Sequence, residues 1–209
     1  MPTHQSVDGC QTTRRLAQSS KRRPLAPFDT QRRIVIVLPD YPARGGRAGY
    51  AVGLDTGASV RTILGLLAAA GYDTHAPEID DPIVRTLEIG TETLDIPLES
   101  YLRSLPATHL AAIRSAWGSP EADPRFRDGA FRLPVRRFGK VLVALQPERA
   151  DAADRKAAYH DMSVAPRHAL AAFHLALRHQ EGIDALVPLG THGTLEWLPG
   201  KALALSDDC

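Results

Sequence analysis

Three short apolar runs punctuate the chain. Residues 34–38 read Ile-Val-Ile-Val-Leu, residues 141–145 read Val-Leu-Val-Ala-Leu, and residues 185–189 read Ala-Leu-Val-Pro-Leu. Continuous apolar runs of this length, rich in branched side chains, are the pattern of strands covered on both faces. Pro39 and Pro42 end the first run. Pro188 marks the third as an edge or a strand end, where a proline costs no ladder hydrogen bond. Between the runs the period changes. Residues 59–70 place Val60, Ile63, Leu64 and Leu67 on one helical face, and Gly71 is a natural stop. Residues 106–117 read as another helix. Pro166 stands in the first-turn position of a further helix, with Leu170, Phe173 and Leu177 as its buried stripe and Gly182 after its end. Residues 80–104 carry mixed signals that fit short helices. Residues 118–128, rich in Pro, Gly and Asp, read as a loop, and residues 148–163 as a polar connection.

These elements assemble into an α/β fold of parallel-sheet βαβ units. Strand, loop and helix over residues 34–70 form half of a doubly wound arrangement. Strand, helix and strand over residues 141–189 fit a parallel crossover. Residues 1–32 read as a disordered leader: Arg14, Arg15, Lys21, Arg22, Arg23 and Arg32 lie among Ser, Gln and Thr with few apolar residues. A mitochondrial or chloroplast transit peptide shares that richness in Arg and Ser, but no helical apolar face is evident. Residues 33–209 form the α/β core, and residues 118–128 are where it would subdivide.

Bulk properties narrow the partners. Hydrophobic content of 44% and charged content of 23% are ordinary for a globular protein, and 209 residues can bury a sizeable core. A net charge of +1 gives no basis for nucleic-acid binding, which needs a basic stripe. No apolar run approaches the roughly 20 residues of a membrane span. The two cysteines, Cys10 and Cys209, suggest neither a disulfide framework nor a zinc knuckle. A reducing cytoplasm is the simple reading.

Chemistry concentrates after the third run, where residues 190–201 read Gly-Thr-His-Gly-Thr-Leu-Glu-Trp-Leu-Pro-Gly-Lys. Ligands of open α/β sheets sit beyond the carboxyl ends of strands. His192 and Glu196 are four apart, so one helical turn would align them. Glu196 reads either as a proton acceptor or as a carboxylate at a helix start. His192 reads either as a metal-facing imidazole or as an ordinary loop histidine. The pair lacks the spacing of a His-Glu-x-x-His zinc site. Trp197 could stack on a flat ligand or join the core, and Lys201 could bind an anion or simply face water. Further back, Arg149 could clamp a carboxylate or form a surface ion pair, and His160 and Asp161 would face opposite ways on a strand. The glycine-rich loop at residues 44–57 precedes a helix, the context of phosphate binding. It has no Gly-Lys-Ser/Thr and does not fit Gly-x-Gly-x-x-Gly, so it reads as a conformational loop with Asp55 or Thr56 capping the next helix.

In three blocks the chain resembles the large subunit of cobaltochelatase (the CobN family) and, more distantly, that of magnesium chelatase. The first block holds residues 34–40, Tyr41, Pro42, Arg47, Gly49, Gly53, Leu54, Asp55, Thr56 and Ser59. The second holds residues 141–147, Arg149, Tyr159, His160, Asp161, Pro166, His168 and the helix-like run that follows to Arg178. The third, residues 190–201 with Ser206 and Cys209, is the most specific. Ala150 departs from the family's usual glycine, which reaches positive φ at lower cost.

The resemblance implies a ligase forming nitrogen–metal bonds, with cobalt(II) as substrate ion and hydrogenobyrinic acid a,c-diamide, a tetrapyrrole of cobalamin biosynthesis, as its acceptor. It implies AAA+ ATPase and accessory chelatase partners that use the ATP. Glu196 would take ring protons, and His192 would face the metal or act as a second base. His160 would be a second metal-facing group. Lys201 and Arg149 would anchor the polar rim, with Trp197 against the ring. Family members are several-fold longer, so the chain reads as an internal piece of such a subunit, inactive by itself. The alternatives are magnesium insertion into protoporphyrin and a non-catalytic tetrapyrrole-binding or remnant module. A metal-dependent hydrolase built on His192 and Glu196 finds no third ligand at suitable spacing.

Overall fold

The computed structural model describes residues 30–39, 48–75, 82–149 and 163–191. The first apolar run is strand β1 (Ile34–Pro39), the second is β5 (Val141–Gln146) and the third is β6 (Ala185–Pro188). β1 lies between the other two and is parallel to both, with Pro39 opposite Gln146 and Val37 opposite Pro188. Pro188 thus ends an outer strand of the described sheet, the position its missing N–H permits.

Three strands were not legible as such. β2 (Thr93–Pro97) and β3 (Phe126–Arg127) flank β4 (Ala130–Phe138), giving the order β2-β4-β5-β1-β6 with β3 on β4. β4 is antiparallel to β2, β3 and β5, so it alone among the described strands runs against the rest. The sheet therefore continues across residues 118–128, with β2 before that stretch and β3 and β4 at and after its end. Part of the expected loop is a hairpin. Asp128 and Gly129 both have positive φ, at 50° and 80°, as a two-residue Asp-Gly turn of the primed kind requires.

Pro134 in mid-strand is accommodated by register. Arg132 N donates toward β3, to Arg125 O, and Val135 N donates toward β2, to Glu92 O. Position 134 would donate to the β3 side, where β3 pairing stops at Phe131 and β5 pairing starts only at Val135.

Helices cover both faces. Against one lie α1 (Thr56–Ala69) and α2 (Ile83–Ile89). Val60, Leu64, Ile83 and Leu87 pack there on Ile34, Ile36, Leu38, Val141, Val143 and Leu145. Against the other lie α3 (Leu98–Ser104), α4 (Ala107–Trp117) and α5 (His168–His179). Ala169, Ala172, Phe173, Ala176 and Leu177 of α5 meet Val35, Val37, Leu142 and Ala144 there. Alternate residues of β1 and β5 thus enter opposite cores, which explains why both strands read as unbroken apolar runs. The mixed residues 80–104 resolve into α2, β2 and α3.

Helix ends differ from expectation by a few residues. α1 begins at Thr56, three residues early, because Asp55 Oδ1 accepts from Ala58 N at 2.9 Å. α5 begins at His168, two residues beyond Pro166, and its cap comes from elsewhere in the chain. Asp123 Oδ2 accepts from Ala169 N at 3.1 Å, while its Oδ1 accepts from Arg125 N at 2.9 Å. No described helix is long and apolar enough to cross a membrane. The expected leader at residues 1–32 lies almost wholly outside the described residues.

Candidate functional site at the carboxyl edge of the sheet

β1, β5 and β6 end at one edge, because they are parallel. From β1 the chain proceeds to α1 on one face, and from the adjacent β5 it proceeds to α5 on the other. Neighbouring strands whose connections leave to opposite faces define a topological switch point, the position at which open α/β sheets hold ligands. β6 arrives on the far side of β1, and Leu189 N donates to Val37 O at 2.8 Å. The chain thus delivers Gly190 and Thr191, the first residues of the third block, to this edge. Two lateral strand spacings, about 10 Å, separate the exits of β5 and β6.

Of the six residues singled out for chemistry, Arg149 is described. His160, His192, Glu196, Trp197 and Lys201 lie outside the described residues, as do Tyr159 and Asp161. Arg149 follows β5 by three residues and is only 5% exposed. It is not the exposed surface cation that one reading allowed. Its Nη2 donates to Val164 O at 3.2 Å, and its own carbonyl accepts from Arg167 N at 3.1 Å. Arg149 therefore clasps the segment leading into α5 against the end of β5.

That segment frames a cavity of about 310 Å³ lined by Ala116, Trp117, Ala122, Asp123, Arg167 and His168. The Arg167 guanidinium lies 5.0 Å from the centre of the Trp117 ring, and Trp117 Nε1 donates to Ala165 O at 2.8 Å. The cation–π contact and the indole hydrogen bond hold α4 against the start of α5. In the sequence Trp117 marks only the end of a helix, and nothing local singles out Arg167. A tryptophan followed 50 residues later by Pro-Arg-His carries no local signal of a joint wall.

His168, part of the second block, has both ring nitrogens engaged. Gly118 O can only accept, so Nε2–H donates to it at 3.0 Å, and the Tyr101 hydroxyl donates to Nδ1 at 2.7 Å. Burial, with the Asp123 carboxylate nearby, pushes the Tyr101 phenol above its ordinary range. Neither imidazole nitrogen is open to a metal. Among the described residues no three His, Cys, Asp or Glu side chains group as a metal centre.

The glycine-rich loop ends in a defined turn. Gly49 N donates to Pro39 O at 2.8 Å, and the buried Thr56 hydroxyl donates to Gly49 O at 2.6 Å. Asp55 and Thr56 were alternatives for the cap of α1. Asp55 caps the helix, while the Thr56 hydroxyl ties its first turn to the loop.

The CobN/Magnesium Chelatase family profile matches residues 26–209. The chain is 43% identical over 192 residues to the aerobic cobaltochelatase subunit CobN of Sinorhizobium sp, covering 86% of this chain and 15% of that protein. It is 39% identical to the CobN subunit of Pseudomonas aeruginosa, covering 87% of this chain and 16% of that one. A magnesium-chelatase subunit of Rhodobacter capsulatus is 29% identical, over 86% of this chain and 16% of the relative. Among solved structures, the catalytic subunit of cobaltochelatase from Mycobacterium tuberculosis aligns with a TM-score of 0.66 and 30% identity, over 85% of this chain and 16% of that one. The chain spans about one-sixth of the length of these relatives.

Proposed function

Because the chain belongs to the CobN/magnesium chelatase family, we propose that it is a segment of the tetrapyrrole-binding subunit of an ATP-dependent cobaltochelatase. The ring would be hydrogenobyrinic acid a,c-diamide, the inserted ion cobalt(II), and the consumers of ATP separate AAA+ partner subunits in the cytoplasm. The observation that carries the cobalt reading over magnesium is the higher identity to CobN subunits than to magnesium-chelatase subunits. The topology supports the placement: the third block begins where β6 ends, at the switch-point edge, with β1 between it and the exit of β5.

The chemistry follows from the residue types. Insertion must remove the ring N–H protons, and Glu196 is the proposed acceptor, with His192 as second base or metal-facing group. His160 is the other proposed metal-facing group. Lys201 and Arg149 serve the polar rim of the ring, and Trp197 lies against it. Arg149 would act largely by fixing the arm it clasps, since its guanidinium is buried.

The test is Glu196→Gln in a complete subunit supplied with its partners. Ring affinity is expected to persist while the insertion rate falls by about 10²–10⁴-fold, the usual cost of losing a general base. Undiminished turnover would contradict the assignment. In the same assay the 209-residue chain alone should neither hydrolyse ATP nor insert cobalt; activity without other subunits would overturn that part.

A further inference from the structure

The strands at the ends of the strand order, β2 and β6, each carry a proline where a further strand would have to bond. In β6 the register settles which main-chain groups face outward. Ala185 N donates to Arg33 O at 3.3 Å and Leu189 N to Val37 O at 2.8 Å, so residues 185, 187 and 189 turn their N–H and C=O groups to β1. The intervening positions, 186 and 188, turn theirs away from the sheet. Position 188 is proline and has no N–H. Within β6 the outward side therefore offers Leu186 N–H as its donor.

β2 repeats the arrangement at the opposite end. Val135 N donates to Glu92 O at 3.0 Å and Leu98 N to Gly129 O at 3.1 Å, on either side of the pairs Leu94–Leu133 and Ile96–Phe131. Residues 92, 94, 96 and 98 thus face β4, and residues 93, 95 and 97 face outward. Position 97 is again proline. Position 95 is an aspartate on a half-exposed side chain, and it accepts from the Thr93 hydroxyl at 2.7 Å.

An unpaired strand edge is a template for another chain, and charge, bulges and proline are what blunt it. β2 has both a charge and a proline. β6 has no charge: it reads Ala-Leu-Val-Pro, with Ala185 and Pro188 exposed, and the preceding Asp184 carboxylate accepts from Arg33 N at 2.9 Å. Pro188 is the device that remains.

We infer that Pro97 and Pro188 close the two ends of the sheet to strand addition. Other chains then meet this segment through helix faces and loops, and not by extending its sheet.

Pro188→Thr restores the outward N–H and adds a side chain suited to a strand. Pro188→Ala restores the same N–H with the smallest side chain. Ala185→Thr is the control: it adds the same side chain at another exposed position of β6 whose N–H faces β1. All are compared with the original chain by light scattering over a range of concentrations, with amide exchange and urea unfolding on the same samples. In the original chain the Leu186 amide should exchange faster than that of Val187. Both substitutions at position 188 should raise the mean mass about twofold or more relative to the original chain, as edge-to-edge pairing does. Exchange at positions 186 and 188 should slow as the mass rises, and Ala185→Thr should keep the original mass. Folded variants at position 188 with unchanged mass overturn the inference, as does association without slower exchange at these positions. Loss of folding in both overturns it by assigning Pro188 to the fold itself. Equal protection of Leu186 and Val187 in the original chain also overturns it, because a partner would already bond to the outer side of β6.

Discussion

Two histidines of α5, six residues apart, show how burial decides what a side chain can do. His168 is buried but has partners for both ring nitrogens and acts as a strut between α3 and the end of α4. His174 has its Nε2 buried with no hydrogen-bond partner among the described residues, and its ring packs edge-on to Phe173 at 5.2 Å. Burial pushes its imidazole from 6.5 down to about 4. Folding then favours the neutral ring. Its contribution is fully present above pH 6.5 and is lost as pH falls from there toward 4, because the unfolded chain binds the extra proton. The slope from one such group is at most about 1.4 kcal/mol per pH unit. Urea unfolding of His174→Leu between pH 7 and pH 4.5, a window chosen on roughly the histidine range, should show a shallower loss of stability than the original chain; parallel curves would contradict the buried state of this ring. Residue type suggested an anion clamp at Arg149, but nothing local revealed that its guanidinium would be enclosed and turned to Val164 O.

At the level of elements, the parallel strands were legible because both faces of β1 and β5 are covered, which leaves an unbroken apolar signature. The antiparallel part was not. In β4 the alternation of Phe131, Leu133 and Val135 toward one core is interrupted to the eye by Arg132, Pro134, Arg136 and Arg137. Those arginines have partners: Arg137 forms a two-pronged bond to Glu181 at 2.8 Å, and Arg136 stacks 4.9 Å from the Phe138 ring. The Asp-Gly pair at the tip of the hairpin was the available clue. The start of α5 was misplaced for a different reason, since its cap, Asp123, is remote in sequence and therefore invisible to local rules. Asp123→Ala removes the acceptor of both Ala169 N and Arg125 N. It should lower stability by about 1–2 kcal/mol, read as a lower urea midpoint at unchanged slope. A midpoint equal to that of the original chain would show that α5 begins without this tie.

Across the whole molecule, strands with neighbours on both sides should be held more firmly than those at the margin. β1 is paired with β5 and β6, whereas β6 is paired with β1 alone among the described strands. Amide exchange should be slower over residues 34–38 than over residues 185–188, and equal protection would mean that β6 has a second covering neighbour. The difference bears on function, because β6 carries the chain into the third block, where Glu196 and His192 stand. The central claim is that this segment forms part of a tetrapyrrole site at the carboxyl edge of the sheet. The most direct measurement is an equilibrium titration of the purified chain with hydrogenobyrinic acid a,c-diamide and, in parallel, with protoporphyrin, followed by absorbance. Saturable binding with the corrin precursor favoured is the predicted result. A chain that perturbs neither spectrum, or that prefers protoporphyrin, would contradict the account.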